Sequence, residues 1–145
     1  MKRASAYLRK GKIFIGSYSK TSTGLWVFSG PVCTINEDHI NELGQKIRDA
    51  LNRSGREVVR HPANQEEWKA VQAPMLEAAG VKTWAAFAKG AKAVGLESDG
   101  ATVKMEPSSN YENKGGTSLP EKTFECELMN PNLGNALMML FDACS

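Results

Sequence analysis

The chain has 145 residues, of which 41% are hydrophobic and 23% are charged, and its formal net charge is +2. This is an ordinary composition for a soluble globular domain, and it excludes collagen-like, coiled-coil and largely disordered proteins. At this length a single domain, residues 1–145, can bury enough surface to fold without disulfides or a structural metal.

The cysteines and the apolar runs indicate the compartment. Cys33, Cys126 and Cys144 are odd in number, far apart and without a CxxC motif, so they predict neither a disulfide framework nor a zinc site. The longest apolar run, residues 136–141, is much too short to cross a membrane. Basic residues interrupt the N-terminal segment before a signal peptide could form. We therefore expect a cytoplasmic protein.

The charges are unevenly distributed along the chain. Residues 1–60 carry 11 basic and 5 acidic side chains, whereas residues 61–145 carry 7 and 11. Before Glu37 all charged side chains are basic, and several lie close to aromatic residues: Lys2, Arg3, Arg9, Lys10, Lys12 and Lys20. This pattern could form a nucleic-acid surface. The alternative is a solvated N-terminal arm followed by strand edges that lysines protect from aggregation.

The first half of the chain predicts a hairpin, a third strand and a helix. Residues 13–15 and 25–28 are apolar, aromatic or β-branched, and the polar segment between them contains a glycine, which is typical of a β-hairpin. A third short strand is predicted over residues 32–35. Asn36 is a suitable cap for a helix that continues to about Arg53, because apolar residues recur along it at helical spacing.

A second helix is predicted to begin at Asn64. Together with Glu67, this residue matches a capping box, and the helix would point Trp68 and Val71 inward. Pro74 should end or kink the helix, because proline lacks the amide hydrogen that a helix interior needs.

Further along the chain the pattern changes from helical to alternating. Residues 83–87 form a short capped helix, and beyond residue 92 apolar side chains recur with a period of two. Residues 94–96 and 101–105 are the arms of a second hairpin, with Asp99 and Gly100 as its tight turn.

The C-terminal part predicts one more strand and a last helix. Residues 123–128 alternate as a half-buried strand does, and Asn130 and Pro131 are suited to open a helix. Met138 and Met139 lie off the apolar stripe of that helix. Either the helix is covered on two sides, or it presents soft apolar surface to a partner or a second copy.

These elements predict an α+β fold, in which antiparallel hairpins and strands form a sheet and helices pack on one side of it. A possible internal βββα pseudo-repeat aligns Leu43-Gly44 with Leu133-Gly134. Chance similarity between two amphipathic helices explains the match equally well.

The sequence offers few groups for catalysis. Its histidines are His39 and His61, and no spacing brings them together with Glu57 or Cys33. Phosphate-loop, dinucleotide, nucleophile-elbow and zinc-protease motifs are all absent, and the glycine pair at 115–116 lies in a polar loop. We expect no catalytic residue, cofactor or metal; a small hydrolase that uses one of the histidines is the weakest hypothesis.

Alternation in the second hairpin and in the strand after it predicts which side chains point away from the core. The outward set is Glu97, Lys104, Glu106, Glu125 and Glu127. This surface is acidic, and it is either a solvated sheet face or a docking surface for a basic protein. The long polar connection over residues 107–120 contains Tyr111 and Glu112, and such loops are often binding elements or simply mobile.

A series of sequence features follows in a fixed order over most of the chain. It consists of His61-Pro62, Trp68, residues 80–92 with Trp84 and Phe87, a hairpin ending at Pro107, residues 119–122, and a terminal helix ending near Cys144. This order resembles the immunity proteins of bacterial contact-dependent growth inhibition (CDI) systems, the CdiI type. The resemblance implies a non-catalytic cytoplasmic inhibitor that binds the C-terminal toxin domain of a CdiA protein, commonly a nuclease. It also implies that Trp84 and Phe87 belong to the core and that Lys82, Lys89 and Lys92 are solvated.

No catalytic residue of the family is carried over to this chain. The candidate toxin-binding residues come from the acidic surface and its adjoining loops: Glu97, Asp99, Glu106, Tyr111, Glu112, Glu125 and Glu127. The expected partner is the cognate toxin domain, a basic nuclease. The alternative function is a small nucleic-acid-binding module that uses the basic N-terminal segment.

Overall fold

The structure is a computed structural model, and it describes residues 1–113 and 116–144. The strands are β1 (Lys2–Arg9), β2 (Lys12–Lys20), β3 (Trp26–Asn36), β4 (Lys92–Ser98), β5 (Thr102–Ser109), β6 (Thr117–Ser118) and β7 (Phe124–Glu127). The helices are α1 (Ile40–Arg53), α2 (Gln65–Ala79), α3 (Trp84–Ala88) and α4 (Leu133–Ala143), with a 3₁₀ helix at Pro120–Lys122. Gly115, half of the glycine pair noted above, lies outside the described residues.

The strands form an antiparallel sheet in the order β3-β2-β1-β4-β5, and both β6 and β7 pair with β5. The two predicted hairpins, β2–β3 and β4–β5, are confirmed, and so is the α+β fold class. The prediction of a separate third strand is wrong, because residues 32–35 are the second half of β3 and continue the hairpin arm that begins at Trp26. The N-terminal segment is the central strand β1, between β2 and β4, so the alternative of a solvated arm is wrong.

One face of the sheet packs against α1 and α4 and forms the larger core. Alternate residues of the longer strands point to it, such as Ala4 and Ala6 of β1 and Ile13 and Ile15 of β2. The helices contribute their predicted apolar stripes: Leu43, Ile47, Ala50 and Leu51 from α1, and Leu133, Leu137, Leu140 and Phe141 from α4. Small alanines on the central strand leave room for both helices to lie close to the sheet.

The opposite face carries a smaller, aromatic core under α2 and α3. Its buried members include Tyr7 of β1, Phe14 of β2, Met75 of α2 and Phe87 of α3. The helices therefore cover both faces, and their predicted placement on one side is wrong. The placement of α2 was hard to predict because Met75 is its one fully buried residue, so no apolar stripe marks the face that it covers.

The contact between α1 and α4 is very close where two glycines meet. The backbone nitrogen of Gly134 lies 3.6 Å from the position that a Cβ on Gly44 would take, and Leu133 lies equally near. The two Leu-Gly pairs of the proposed repeat thus contact each other. The repeat itself stays a prediction.

Two of the predicted helix caps, Asn64 and Thr83, are confirmed, whereas Asn36 does not cap α1. The Asn64 side chain accepts a 3.0 Å hydrogen bond from the Glu67 amide, and Thr83 accepts one of 3.1 Å from the Ala86 amide. Two helices begin later than predicted, however. Asn36 ends β3 and α1 starts at Ile40, and α4 starts at Leu133, beyond the turn that contains Pro131.

One prediction about α2, the inward orientation of Trp68, is wrong. Of the two outcomes predicted for Pro74, an end of the helix does not occur, because α2 continues to Ala79. Ala70, whose carbonyl loses its helical partner to the proline, is exposed, so water can solvate it. Trp68, predicted to point inward, is 38% exposed.

Candidate functional site

The part of the second sheet face that α2 and α3 leave uncovered is open and charged. On β1 this face carries Arg3, Ser5 and Tyr7, and of these Tyr7 is buried near α3. A shallow trough of about 350 Å³ lies over the uncovered part. The residues that shape this trough are Arg3, Ser5, Gly95, Glu97, Lys104 and Glu106.

Strand register explains why the trough exists. Ser5 of β1 lies opposite Gly95 of β4, and Gly95 lies opposite Glu106 of β5. In this row β1 therefore contributes only the short side chain of Ser5, and β4 contributes no side chain at all. The floor of the trough is this row, and the Glu106 carboxylate stands at its end.

One wall of the trough is a row of alternating charges. In the strand register, Arg3 lies opposite Glu97, Glu97 lies opposite Lys104, and Lys104 lies opposite Glu125. The Arg3 guanidinium lies 3.8 Å from the Glu97 carboxylate. Exposed ion pairs of this kind contribute little to stability, so the row is not needed to hold the fold.

Acidic groups outnumber basic ones on this open part of the face, from β1 to β7. Its charged side chains are the carboxylates of Glu97, Glu106, Glu125 and Glu127 and the cations of Arg3 and Lys104, and Lys20 of β2 adds a third cation beside Trp26. The outward orientation that alternation predicts for these residues of β4, β5 and β7 is confirmed, because Val94, Leu96, Val103 and Met105 are buried.

Aromatic side chains lie at the β3 side of the trough. The Arg3 guanidinium is 5.3 Å and the Lys20 ammonium 5.6 Å from the centre of the Trp26 ring. Tyr18 stacks on Phe28, with ring centres 4.5 Å apart. Half-buried tryptophan and tyrosine are the side chains that most often anchor protein interfaces.

The hydroxyl groups beneath the trough stay neutral. The hydroxyls of Ser5 and Tyr18 are 2.9 Å apart. Burial is the main reason why the pKa of Tyr18 is raised and the pKa of Tyr7 is raised well above the ordinary value near 10. The floor can therefore donate and accept hydrogen bonds without carrying charge at neutral pH.

The structure brings together four of the seven candidate toxin-binding residues: Glu97, Glu106, Glu125 and Glu127 share the open face. The other three hold loops in place. Asp99 accepts 2.8 Å hydrogen bonds from the amides of Ala101 and Thr102, and these bonds lower its pKa. The Tyr111 ring lies 5.4 Å from that of Tyr7, and Glu112 accepts a 2.8 Å hydrogen bond from the Gly90 amide.

Sequence reasoning missed the residues that give the site its shape, namely Arg3, Ser5, Trp26 and Gly95. Two of them lie on β1, which was not predicted to be a strand. The alternation of Ala4 and Ala6 with serine and tyrosine is the signal that could have found it. Alanine is depleted in strands, and this made the pattern easy to overlook.

The histidines and the basic N-terminal residues are dispersed. His39 precedes α1 beside Glu42, whereas the His61 ring packs edge-on against Trp68. Lys2 donates to the Ser54 carbonyl on the α1 side of the sheet, whereas Arg3 lies on the opposite face. Alternation along β1 thus divides the basic residues between two faces.

In residues 1–113 and 116–144, no three His, Cys, Asp or Glu side chains are grouped so that they could hold a metal ion. None of the described helices is long and apolar enough to cross a membrane.

Comparison with known proteins assigns the class and then the family. The class is that of immunity proteins, because the family model described as "CdiI: CDI immunity protein" matches residues 2–144. The chain belongs to the CdiI family, and the resemblance found in the sequence is confirmed. A comparison with curated proteins found no match.

Two solved structures share the fold over nearly the whole chain. The protein of unknown function NMB0488 from Neisseria meningitidis is 18% identical with a TM-score of 0.78, and the match covers 99% of this chain and 95% of that one. The CdiA-CT/CdiI toxin and immunity complex from Yersinia pseudotuberculosis contains a chain that is 17% identical, with a TM-score of 0.75. That match covers 99% of this chain and 97% of the other.

Proposed function

We propose that this chain acts as one immunity domain, residues 1–145, which binds the C-terminal toxin domain of a cognate CdiA protein in the cytoplasm and neutralises it. The observation that carries this proposal is the match of the CDI immunity family model to residues 2–144. The fold shared with a chain of a toxin and immunity complex from Yersinia pseudotuberculosis supports it.

The inhibitor acts by occlusion, covering either the active site or the substrate-binding surface of the toxin. A standard protein interface buries about 800 Å² on each partner, with most of the affinity in a few desolvated side chains. An extended, half-uncovered sheet face can supply such an area. No bond is made or broken by the inhibitor's own side chains.

The toxin is a basic nuclease in this proposal. Nucleases bind polyanions, so their working surfaces are basic, and the open face of this chain carries an excess of carboxylates. Complementary charge speeds the encounter between the two proteins and orients it. Glu97, Glu106, Glu125 and Glu127 contact the toxin directly, while Asp99, Tyr111 and Glu112 form the borders of the surface.

Growth rescue tests the function. The C-terminal toxin domain of the cognate CdiA protein is expressed in a susceptible strain with and without this chain. We expect growth only when the chain is present, and no protection against an unrelated CDI toxin. Continued poisoning in the presence of well-folded chain would overturn the proposal.

Charge reversal tests the surface. The double variant Glu125→Lys/Glu127→Lys should associate with the toxin more slowly and with less dependence on salt, because long-range attraction is lost. Its matched control, Glu42→Lys/Asp142→Lys, changes the charge equally, and its substitutions lie on α1 and α4, beyond the opposite sheet face. Equal association rate constants for the two double variants would place the interface elsewhere.

A further inference from the structure

The trough is open directly above Gly95. A Cβ built on this residue meets its nearest neighbour, the carbonyl oxygen of Glu106, at 3.9 Å, which is ordinary van der Waals contact. Gly95 also has none of the positive φ angles that distinguish other glycines of the chain. Neither backbone conformation nor close packing therefore requires glycine here, and its effect on the structure is to keep the trough open.

The trough has room for a long side chain. Its volume is about 350 Å³. On the same face of β1, Arg3 and the buried Tyr7 are four residues apart. At about 3.3 Å per residue, this spacing corresponds to roughly 13 Å along the strand. The short Ser5 lies between them, opposite Gly95.

The carboxylate at the end of the trough lacks a partner. Glu106 is half-buried, and within residues 1–113 and 116–144 no hydrogen bond or ion pair reaches its side chain. Glu97, by contrast, has Arg3 beside it. A cation that entered the trough would pair with Glu106 where protein already excludes part of the water, and such charge-assisted contacts are stronger than those at a fully exposed surface.

We infer that the trough receives one cationic side chain of the toxin, a lysine or an arginine, whose apolar stem lies over Ser5 and Gly95 and whose charge pairs with Glu106. This inference rests on the proposed function. It follows from the open floor, the unpartnered carboxylate and the excess of acidic groups on this face. An apolar or acidic occupant would leave Glu106 without a partner in a desolvated site, which is costly.

Three variants test the inference. Gly95→Val fills the trough, and valine suits a strand backbone. Glu106→Gln removes the charge and keeps the shape. Glu42→Gln is the matched control, because it removes the same charge from an exposed position on α1, beyond the opposite sheet face. Association and dissociation of each variant are measured with the purified cognate CdiA toxin domain, and thermal unfolding establishes that each variant is folded.

We expect Gly95→Val and Glu106→Gln each to raise Kd at least tenfold through faster dissociation, since loss of a desolvated contact acts mainly on that step. Glu42→Gln should leave the dissociation rate constant within about twofold. If neither trough variant differs from the control, the toxin does not enter the trough. If only one of them weakens binding, the occupant is not a cation seated above Gly95, and the inference is wrong in that case too. Failure of the unaltered chain to bind the toxin would instead overturn the proposed function.

Discussion

The close packing of α1 on α4 depends on the absence of a side chain at Gly134. A Cβ at this position would lie 2.6 Å from the carbonyl oxygen of Ile40 and 3.1 Å from the Cβ of Leu43. Real Cβ atoms essentially never approach other atoms within 3.0 Å, and the carbonyl belongs to a helix backbone that cannot rotate away. In Gly134→Ala, the two helices must therefore separate by about 0.8 Å before the contact reaches the ordinary 3.4 Å.

The size of the effect follows from two opposing terms. Overpacking a core costs about 1–3 kcal/mol. Alanine in place of glycine stabilises a helix interior by up to about 1 kcal/mol, but Gly134 lies in the first turn of α4, where the gain is smaller. We expect a net loss of about 1–2 kcal/mol in the free energy of unfolding, equivalent to a fall of roughly 3–8 °C in Tm for a domain of this size.

Urea and thermal unfolding of Gly134→Ala measure this loss, and Gly44→Ala is the matched control. A Cβ on Gly44 would meet its nearest neighbours at 3.6 Å, an ordinary contact, and the residue lies inside α1. We expect the control to be as stable as the unaltered chain or slightly more stable. If Gly134→Ala is as stable as Gly44→Ala, the helices do not pack as closely as described, and the reasoning fails.

Three more predictions concern stability. Met75→Ala removes the one fully buried side chain of α2 and should cost about 2–5 kcal/mol in chemical unfolding, whereas Met139→Ala, at a position 52% exposed, should stay within about 0.5 kcal/mol. Ser54→Ala should cost about 1–3 kcal/mol in the same assay, because the hydroxyl accepts from a β1 amide and donates to a β2 carbonyl, both of which lose this bond. Tyr7 and Tyr18 keep their protons in the folded state at a pH where the unfolded chain has lost them, so the stability that these two tyrosines contribute should be constant below about pH 10 and be lost as the pH rises through their raised pKa values. A pH series of Tm values tests this, and Tyr18→Phe should flatten the alkaline fall.

Local patterns in the sequence predicted most of the elements. The β4–β5 hairpin was found because alternating apolar residues lie on both sides of an Asp-Gly turn. The apolar stripe of α1 was found for a similar reason, since helical spacing is a local property. The first residues of α1 and α4 were predicted less accurately, because no side chain caps the first turn of either helix. The backbone turn before each helix sets its boundary instead.

The trough could not be predicted in the same way. It exists because Ser5 pairs with Gly95, two residues that are 90 positions apart in the sequence. Nothing in either segment indicates that the two strands are neighbours. The acidic side of the site, by contrast, follows from alternation within β4, β5 and β7, so its glutamates could be predicted individually while the shape between them could not.

One sheet face contributes most of the stability, and the other carries the proposed binding surface. The face under α1 and α4 buries most of the apolar side chains, so the larger share of the hydrophobic free energy comes from that side. The charges of the trough lie on the other face, beyond the small aromatic core, where loss of the exposed Arg3–Glu97 ion pair costs the fold little. Changes at Glu97, Lys104 or Glu106 can therefore alter which partner binds without unfolding the protein. This separation is also why Gly95→Val and Glu106→Gln are suitable probes, since a loss of binding in either variant would report on the contact itself.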